Sequence, residues 1–230
     1  MQLSLQYTSQ VTRNPYAISR SPLTNNWRHS YDRAMAELKD LGPRRENSAF
    51  YMFRRPNGDT WLADSIGNIV GVSNTTIAAW PEVAMGIILS TENGEQEFYD
   101  RAGKLLKIRD AHGLTQVLSY DDDGLLQTVT DPFGRSLHFT YSNRQLTSVT
   151  TPAQQVFGFD YSDGNFAITF PGTEQASTFK KTFLHQGEKL VGILDENGVR
   201  YATWTYNEDG DATSSEHAGG VEKVTLRYSE

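Results

Sequence analysis

Cysteine is absent from the 230 residues, so the chain has no disulfide, no thiolate zinc site and no cysteine nucleophile. Long apolar runs are lacking too, since the longest, 83–89, falls far short of the roughly 18 residues that a membrane-spanning helix needs. The first six residues contain neither the basic stretch nor the apolar stretch of a Sec signal. We therefore expect no membrane span and no export through a Sec signal in these residues.

Positive charge is scarce as well. The 21 lysines and arginines are outnumbered by 28 acidic residues, which gives a formal net charge of −7. Nucleic-acid binding needs a basic surface that displaces counterions from the phosphates, so we expect no nucleic-acid partner. The hydrophobic content of 37% is low, while an aromatic content of 11% argues against disorder. The composition indicates a folded chain with a thin hydrophobic core.

The 19 glycines are placed non-randomly. Chance predicts about one Asp-x-x-Gly sequence in this chain at ordinary glycine usage, and the chain has six. Aspartate at the first position of a type I turn accepts backbone hydrogen bonds, and glycine three residues later takes the left-handed conformation of a bulged hairpin. We predict hairpin turns at Asp64–Gly67, Asp100–Gly103, Asp110–Gly113, Asp121–Gly124, Asp131–Gly134 and Asp195–Gly198, with Asn207–Gly210 as a relative.

Strand-forming residues fill the intervals between these turns. Several intervals alternate apolar with polar residues, as in 115–120 and 136–141, which is typical of a strand with one buried face. The sequence therefore predicts an all-β fold of antiparallel hairpins.

Tyrosines mark an internal repeat of about 21 residues. A unit of this length accommodates two strands and two turns, so one repeat is one hairpin, and consecutive hairpins stack into a continuous sheet. A tyrosine at a strand end can cover the neighbouring hairpin while its hydroxyl reaches water or a backbone carbonyl. The expected structural residues of the repeat are Tyr99, Asp100, Gly103, Asp110, Gly113, Tyr120, Asp121, Gly124, Asp131, Gly134, Tyr141, Tyr161, Phe183, Asp195, Gly198, Tyr206, Gly210 and Tyr228.

These residues resemble the YD-repeat, or Rhs-repeat, family, whose unit reads aromatic-Asp-x-x-Gly-Arg-Leu, then x-x-Val/Ile, then x-Asp-x-x-Gly. Residues 99–105 and 120–135 match this unit closely. The segment 20–32 is similar to the one that opens Rhs cores, although Asn25 and Asn26 replace the glycines that precede Trp27. The resemblance covers most of the chain.

The resemblance implies a long β-sheet that spirals into a hollow shell, enclosing a toxic domain in bacterial toxins and forming part of adhesion receptors in animals. Two features depart from this pattern. About six repeat phases are recognisable, too few to close such a shell, and the sequence ends inside a repeat without a following toxin domain. A partial shell, a fragment, or one subunit of a larger wrap are the alternatives.

The N-terminal third lacks the 21-residue phase, so we expect an Rhs-associated β region over 1–90 and a YD-repeat hairpin array over 91–230. Two weaker hairpins are predicted there, one from 50–53 through 56–58 to 60–62 and another that continues into 67–70. The family register favours a strand over 32–41. A short helix is the alternative, because Met35, Leu38 and Leu41 share one helical face.

Catalytic and metal-binding patterns are weak. The acidic stretches 121–124 and 207–211 could bind Ca²⁺, but neither has the EF-hand spacing, so solvated turns are favoured. The five histidines form no i, i+4 pair and no recognisable triad. Toxin members of the family cut themselves near an Asp-Pro-x-Gly sequence, and 131–134 has those letters but sits in an ordinary mid-chain turn. We expect no cofactor and no enzymatic activity.

The function expected from these observations is structural, as part of an Rhs-type shell that encapsulates or presents a polypeptide cargo such as a toxin, or that joins a neighbouring Rhs chain. The family implies a secreted or cell-surface protein. The alternative is an extracellular carbohydrate-binding or adhesion module, with exposed aromatic rings at Trp61, Trp80 and Trp204. Unpaired first and last strands would also permit self-association through their edges.

Overall fold

The computed structural model describes residues 2–8, 23, 26–38, 50–64, 66–84, 86–173 and 176–228. Antiparallel β-strands make up nearly all of the regular structure in these residues. Two single-turn 3-10 helices accompany them, at Ser162–Gly164 and Ala218–Gly220, and these described ranges contain no α-helix. The predicted all-β class built of antiparallel hairpins is thus confirmed. The chain forms two compact units, 1–138 and 139–230.

The first unit contains a two-stranded sheet, a three-stranded sheet and the beginning of a longer ladder. β1 pairs with β2, and β3, β4 and β5 pair in sequence order. From β6 onward each strand pairs with the strand that follows it, as far as the start of β12. The strands are β1 Leu5–Tyr7, β2 Trp27–His29, β3 Ala34–Leu38, β4 Phe50–Arg54, β5 Thr60–Ala63, β6 Thr76–Trp80, β7 Gly86–Ser90, β8 Gln96–Tyr99, β9 Leu105–Arg109, β10 Thr115–Tyr120, β11 Leu126–Thr130 and β12 Ser136–Ser142.

The second unit takes in the end of β12 and a single sheet in which successive strands pair from β13 to β20. Its strands are β13 Gln145–Thr150, β14 Val156–Asp160, β15 Phe166–Thr173, β16 Ala176–Gln186, β17 Lys189–Leu194, β18 Arg200–Tyr206, β19 Ala212–His217 and β20 Val224–Thr225. The hairpin β15–β16 is the longest in the unit, with register Phe166↔Phe183 to Thr173↔Ala176.

The turns share one geometry at the seven predicted positions, the six Asp-x-x-Gly sequences and Asn207–Gly210. At Asp100, for example, the backbone N–H donates to the Lys104 carbonyl at 3.0 Å, and the Gly103 N–H donates to the Asp100 carbonyl at 3.0 Å. The Asp100 carboxylate accepts the Lys104 N–H at 2.8 Å. The seven glycines have φ between +75° and +95°, which closes the bulged hairpin. Each turn is therefore held by its own side chain and its own glycine.

The core is thin. In β12 the burial alternates, with Leu137 buried beside an exposed His138. In β11 Leu126 and Val129 are both buried although they are three residues apart, because the register of β10 and β11 shifts between Thr128 and Leu126. In the first unit this buried face meets residues of the N-terminal strands, where the rings of Phe53 and Tyr99 lie 5.5 Å apart, edge to face. The three-stranded sheet therefore contributes Phe53 to the core of the first unit.

Over 34–38 the chain forms a strand and not the helix considered for 32–41. β3 pairs with β4 from Ala34↔Arg54 to Leu38↔Phe50, and residues 39–41 lie outside the described residues. The Met35 N–H donates to the Gly103 carbonyl at 2.9 Å, so β3 also joins the first repeat turn. Pairing on both sides favours the extended backbone over the local helical pattern of Met35 and Leu38. No helix in the described part of the chain is long and apolar enough to cross a membrane.

We predict that Gly103→Ala destabilises the fold more than Gly113→Ala. Both glycines have left-handed φ, +82° and +84°, so either alanine costs about 1–2 kcal/mol of backbone strain. A Cβ at Gly103 would lie 1.8 Å from the Met35 carbonyl oxygen, whereas nothing lies within 4 Å of a Cβ at Gly113. We expect Gly103→Ala to lower the free energy of unfolding by about 3 kcal/mol or more in urea titrations.

Hydrogen exchange distinguishes this local clash from general destabilisation. Because the Met35 amide is held by the Gly103 carbonyl, Gly103→Ala should speed exchange of that amide, and Gly113→Ala should leave it slow. Equal losses of stability in the two variants would contradict the prediction.

Candidate functional site

The repeat tyrosines form a ladder of hydroxyl-to-carbonyl hydrogen bonds. Each hydroxyl donates to the backbone carbonyl of a residue 15 or 16 positions earlier, which lies in the preceding hairpin. Burial raises the pKa of Tyr120 and of Tyr161, so both phenols remain protonated donors. The bonds are Tyr120 to Leu105 at 2.7 Å, Tyr161 to Leu146 at 2.8 Å, Tyr206 to Leu190 at 2.7 Å and Tyr228 to Ala212 at 2.9 Å.

The other members of the predicted aromatic series have different surroundings. Tyr141 lies half-buried in β12. Phe183 has no hydroxyl, and its ring stacks on Phe166 at 5.8 Å. Tyr99 is fully buried at the end of β8, and its hydroxyl donates to the carboxylate of Glu97. The ladder therefore begins with a tyrosine bound to a buried acid.

Glu97 is the centre of a buried ionic cluster that the sequence did not reveal. Its side chain is 0% exposed, and its two oxygens accept hydrogen bonds from the Arg55 guanidinium at 2.6 and 2.7 Å. Arg33 also pairs with Glu97, and it contacts Glu95 at 2.6 Å. With the Tyr99 hydroxyl, these groups link β8 to the chain before β3 and after β4. The only sequence signal for this cluster is a glutamate at a buried strand position. Its two arginine partners are far away in sequence.

The cluster holds Glu97 in its charged form. Burial by itself raises the pKa of this carboxyl, but the charges of Arg33 and Arg55 and the hydrogen bonds from Arg55 and Tyr99 outweigh burial, so the pKa is lowered. Since both oxygens are occupied by donors and closed to solvent, the carboxylate acts as a structural anchor in this state.

A second buried ion pair lies nearby in the first unit. Asp32 is bound by Arg54 and, at 3.1 Å, by Arg28. His29 is buried beside them and accepts the Tyr31 N–H at Nδ1, 3.2 Å away. Burial lowers the pKa of His29 to about 4, a shift that Asp32 opposes and Arg54 reinforces. The imidazole is thus neutral near pH 7, consistent with its role as an acceptor.

The Asp-Pro-x-Gly sequence at 131–134 forms a turn like the others. The Asp131 carboxylate accepts the N–H groups of Phe133 at 2.9 Å and Arg135 at 3.0 Å. The Arg135 side chain donates to the same carboxylate at 2.7 Å. Desolvation raises the pKa of Asp131, but the Arg135 and Phe133 hydrogen bonds outweigh it and lower the pKa. The Asp131 carboxylate is therefore engaged in hydrogen bonds that stabilise the turn.

The three tryptophans considered for ligand binding lie apart on different strands. Trp80 is 7% exposed on β6, with Phe98 edge-on at 5.3 Å and the Lys107 ammonium 5.4 Å from its ring. The Arg55 guanidinium covers the Trp61 ring at 4.2 Å, and Trp204 is half-buried on β18 opposite Ser215. Within the described part of the first unit, the Trp61 and Trp80 rings do not contact each other.

The acidic stretches considered for Ca²⁺ are turns whose first residue binds the backbone. The Asp121 carboxylate accepts the Leu125 N–H at 2.8 Å, and the Asn207 side chain accepts the Asp211 N–H at 2.8 Å. Across the described ranges, no three His, Asp or Glu side chains are grouped as metal ligands.

Comparison with known proteins finds a family that resembles part of the strand array. The RHS Repeat family model matches residues 99–132 and 120–156, which contain Tyr99, Tyr120 and Tyr141 and the four turns that begin at Asp100, Asp110, Asp121 and Asp131. Residues 99–156 therefore match the RHS Repeat. The match begins at Tyr99, the residue with which the predicted repeat phase begins. No curated protein matches the sequence.

Two solved structures similar to the chain are crystal structures of TcdB2-TccC3. The one without the hypervariable C-terminal region is 13% identical with a TM-score of 0.30, over 90% of this chain and 11% of that one. The TcdB2-TccC3-Cdc42 structure is 10% identical with a TM-score of 0.31, over 91% and 14%. The chain spans about a tenth of the length of these proteins.

We predict that Tyr120→Phe destabilises the fold more than Tyr228→Phe. The Tyr120 hydroxyl is part-buried, so its loss leaves the Leu105 carbonyl without this donor and costs about 1–2 kcal/mol. Tyr228 is 57% exposed, and water can replace its hydroxyl at a cost within about 0.5 kcal/mol. Urea titrations followed by tryptophan fluorescence measure both, and a larger loss for Tyr228→Phe would be inconsistent with the ladder.

We also predict that Glu97→Gln costs about 3–5 kcal/mol of stability, because it leaves buried guanidinium groups without their counter-charge. Glu95→Gln is the matched control, since Glu95 also pairs with Arg33 but is partly exposed, and it should cost at most about 1 kcal/mol.

The pH dependence gives a second readout for Glu97. Because its folded pKa lies below its unfolded value of 4.5, its contribution is complete above pH 4.5 and is lost as the pH falls through the folded pKa. Stability of Glu97→Gln should therefore fall less steeply than that of the wild type below pH 4.5. Identical slopes would show that Glu97 is not the titrating anchor.

Proposed function

We propose that this chain is a non-enzymatic scaffold, a segment of an Rhs-type shell that holds or presents a polypeptide cargo. The observation that supports this most directly is the use of the repeat residues. In the matched RHS repeats the aspartates bind the backbone of the turns, and the Tyr120 hydroxyl binds the preceding hairpin. Such a ladder grows by the addition of equivalent hairpins, so one repeated sequence pattern is enough to build a large surface.

The acidic groups of the first unit support the non-enzymatic part of the proposal. Glu97 and Asp32 are buried and occupied by arginines, and Asp131 is occupied by its own turn. Carboxylates that act in catalysis need access to a substrate proton or to a reacting atom. These three instead meet protein donors, as expected of structural residues.

The polypeptide nature of the cargo is supported by the family resemblance, in which the shell encloses a protein domain. We also propose a secreted or cell-surface location on the same ground. Joining of neighbouring chains through sheet edges is compatible with this role.

Carbohydrate binding is the weaker alternative. A sugar-stacking site needs an open aromatic face, whereas Trp80 is buried, the Trp61 ring is covered by Arg55 and Trp204 is half-buried. Trp204 is the best remaining candidate for such a face.

The proposal is tested by retention on the immobilised full chain of three labelled probes. These are reduced and carboxymethylated α-lactalbumin as an unfolded polypeptide, native α-lactalbumin, and dextran. We expect retention of the unfolded polypeptide alone. Retention of dextran that is lost in Trp204→Ala would favour the carbohydrate alternative, and absence of any retained polypeptide would refute the cargo role.

A further inference from the structure

The hairpin β15–β16 extends beyond both of its neighbours in the second unit. β14 pairs with β15 only over Ala167–Thr169, and β17 pairs with β16 only over Thr182–Gln186. Among the described strands, residues 170–173 therefore pair only with β16, and residues 176–181 pair only with β15. We call these two stretches the projecting hairpin.

One face of the projecting hairpin is aromatic. Phe170 and Phe179 are directly opposite each other, and their rings stack at 4.9 Å with an interplanar angle of 6°. Phe157 on β14 meets the Phe170 ring edge to face at 5.9 Å. Phe179 remains 38% exposed, so the end of this aromatic row is open to solvent.

The same face carries a cation that lacks an ionic partner. Side chains two residues apart on a strand share a face, which places Lys181 with Phe179 and places Lys180 on the opposite face. Lys180 pairs with Asp160 at 2.9 Å. Lys181 is exposed and forms no ion pair with any residue that the structure describes.

We propose that this aromatic face binds an extended segment of polypeptide in which an apolar side chain and a carboxylate alternate. The apolar side chain covers the Phe170–Phe179 stack, and the carboxylate meets Lys181. This inference rests on the cargo role proposed above and specifies where cargo is held and which cargo sequences are preferred.

The spacing on β16 defines the motif. Phe179 and Lys181 are two residues apart, or about 7 Å along the strand. An extended segment lying along β16 therefore presents matching groups when its apolar and acidic residues are also two positions apart. The preferred cargo sequence is apolar-x-acidic.

Binding by this face is favoured over strand addition at the hairpin edge. Pro171 has no N–H to donate to a new strand, and Lys180 and Lys181 are the kind of residue that discourages pairing at exposed edges. The backbone of the projecting hairpin thus discourages a further strand while its aromatic side chains remain accessible.

The test uses two fluorescein-labelled peptides of one composition and the full chain, with binding followed by fluorescence anisotropy. The first, TVTFTETS, places phenylalanine and glutamate on one face of a strand. The second, TVTFETTS, places them on opposite faces. We expect the first peptide to bind at least about five times more tightly, with a dependence on salt that reflects the ion pair.

Variants assign the binding to this face. We expect Phe179→Ala to weaken binding of the first peptide about tenfold and Lys181→Glu to weaken it at least about fivefold. The matched controls are Lys180→Glu, on the opposite face, and Phe133→Ala, which removes a 71% exposed ring in the first unit. Both controls should bind within about twofold of the wild type. Circular dichroism and thermal melting establish folding, and the surface variant Lys181→Glu provides the test if Phe179→Ala unfolds.

The outcomes separate this inference from the general cargo role. If the wild type retains unfolded α-lactalbumin but Phe179→Ala and Lys181→Glu retain it equally well, the aromatic face is not the site and the scaffold proposal stands. Equal binding of the two peptides would also overturn the inference. If the wild type retains no polypeptide, the cargo role and this site are both wrong.

Discussion

Reversal of the chain within five residues is the constraint on which the whole ladder depends. At each repeat turn a side-chain oxygen accepts backbone N–H groups, while a glycine with positive φ closes the bulge. Because these bonds are internal to the turn, a strand can be placed beside its predecessor before any distant contact forms. A thin core is sufficient because each hairpin needs to bury only one of its two faces.

The first RHS repeat is anchored differently from those that follow. Tyr120 reaches back to a carbonyl of the preceding hairpin, but Tyr99 meets the buried carboxylate of Glu97. Arg33 and Arg55 complete that cluster from the N-terminal strands, and the Gly103 carbonyl binds β3. Charge and close backbone approach thus attach the irregular N-terminal segment to a regular array. Loss of one partner of a buried ion pair is strongly destabilising, because the remaining charge is then buried without compensation.

The local parts of this fold could be predicted from sequence, and the long-range parts could not. Turns such as Asp110–Gly113 depend on residues within five positions, and the tyrosine spacing follows from one hairpin per repeat. The Glu97 cluster joins residues 42 and 64 positions apart, and no local pattern encodes those distances. The strand over Ala34–Leu38 was ambiguous for the same reason, because pairing with β4 and with the Gly103 carbonyl decides it. Trp80 was expected to be open, but Phe98 and Lys107, on other strands, cover it.

The tyrosine bonds give the array a property that no single hairpin has. Each of the four ladder bonds joins a hairpin to the one before it, over 15 or 16 residues. A whole repeat could therefore be duplicated or deleted during evolution without altering the contacts inside the remaining ones. The array can therefore change its length by whole repeats and keep the same architecture.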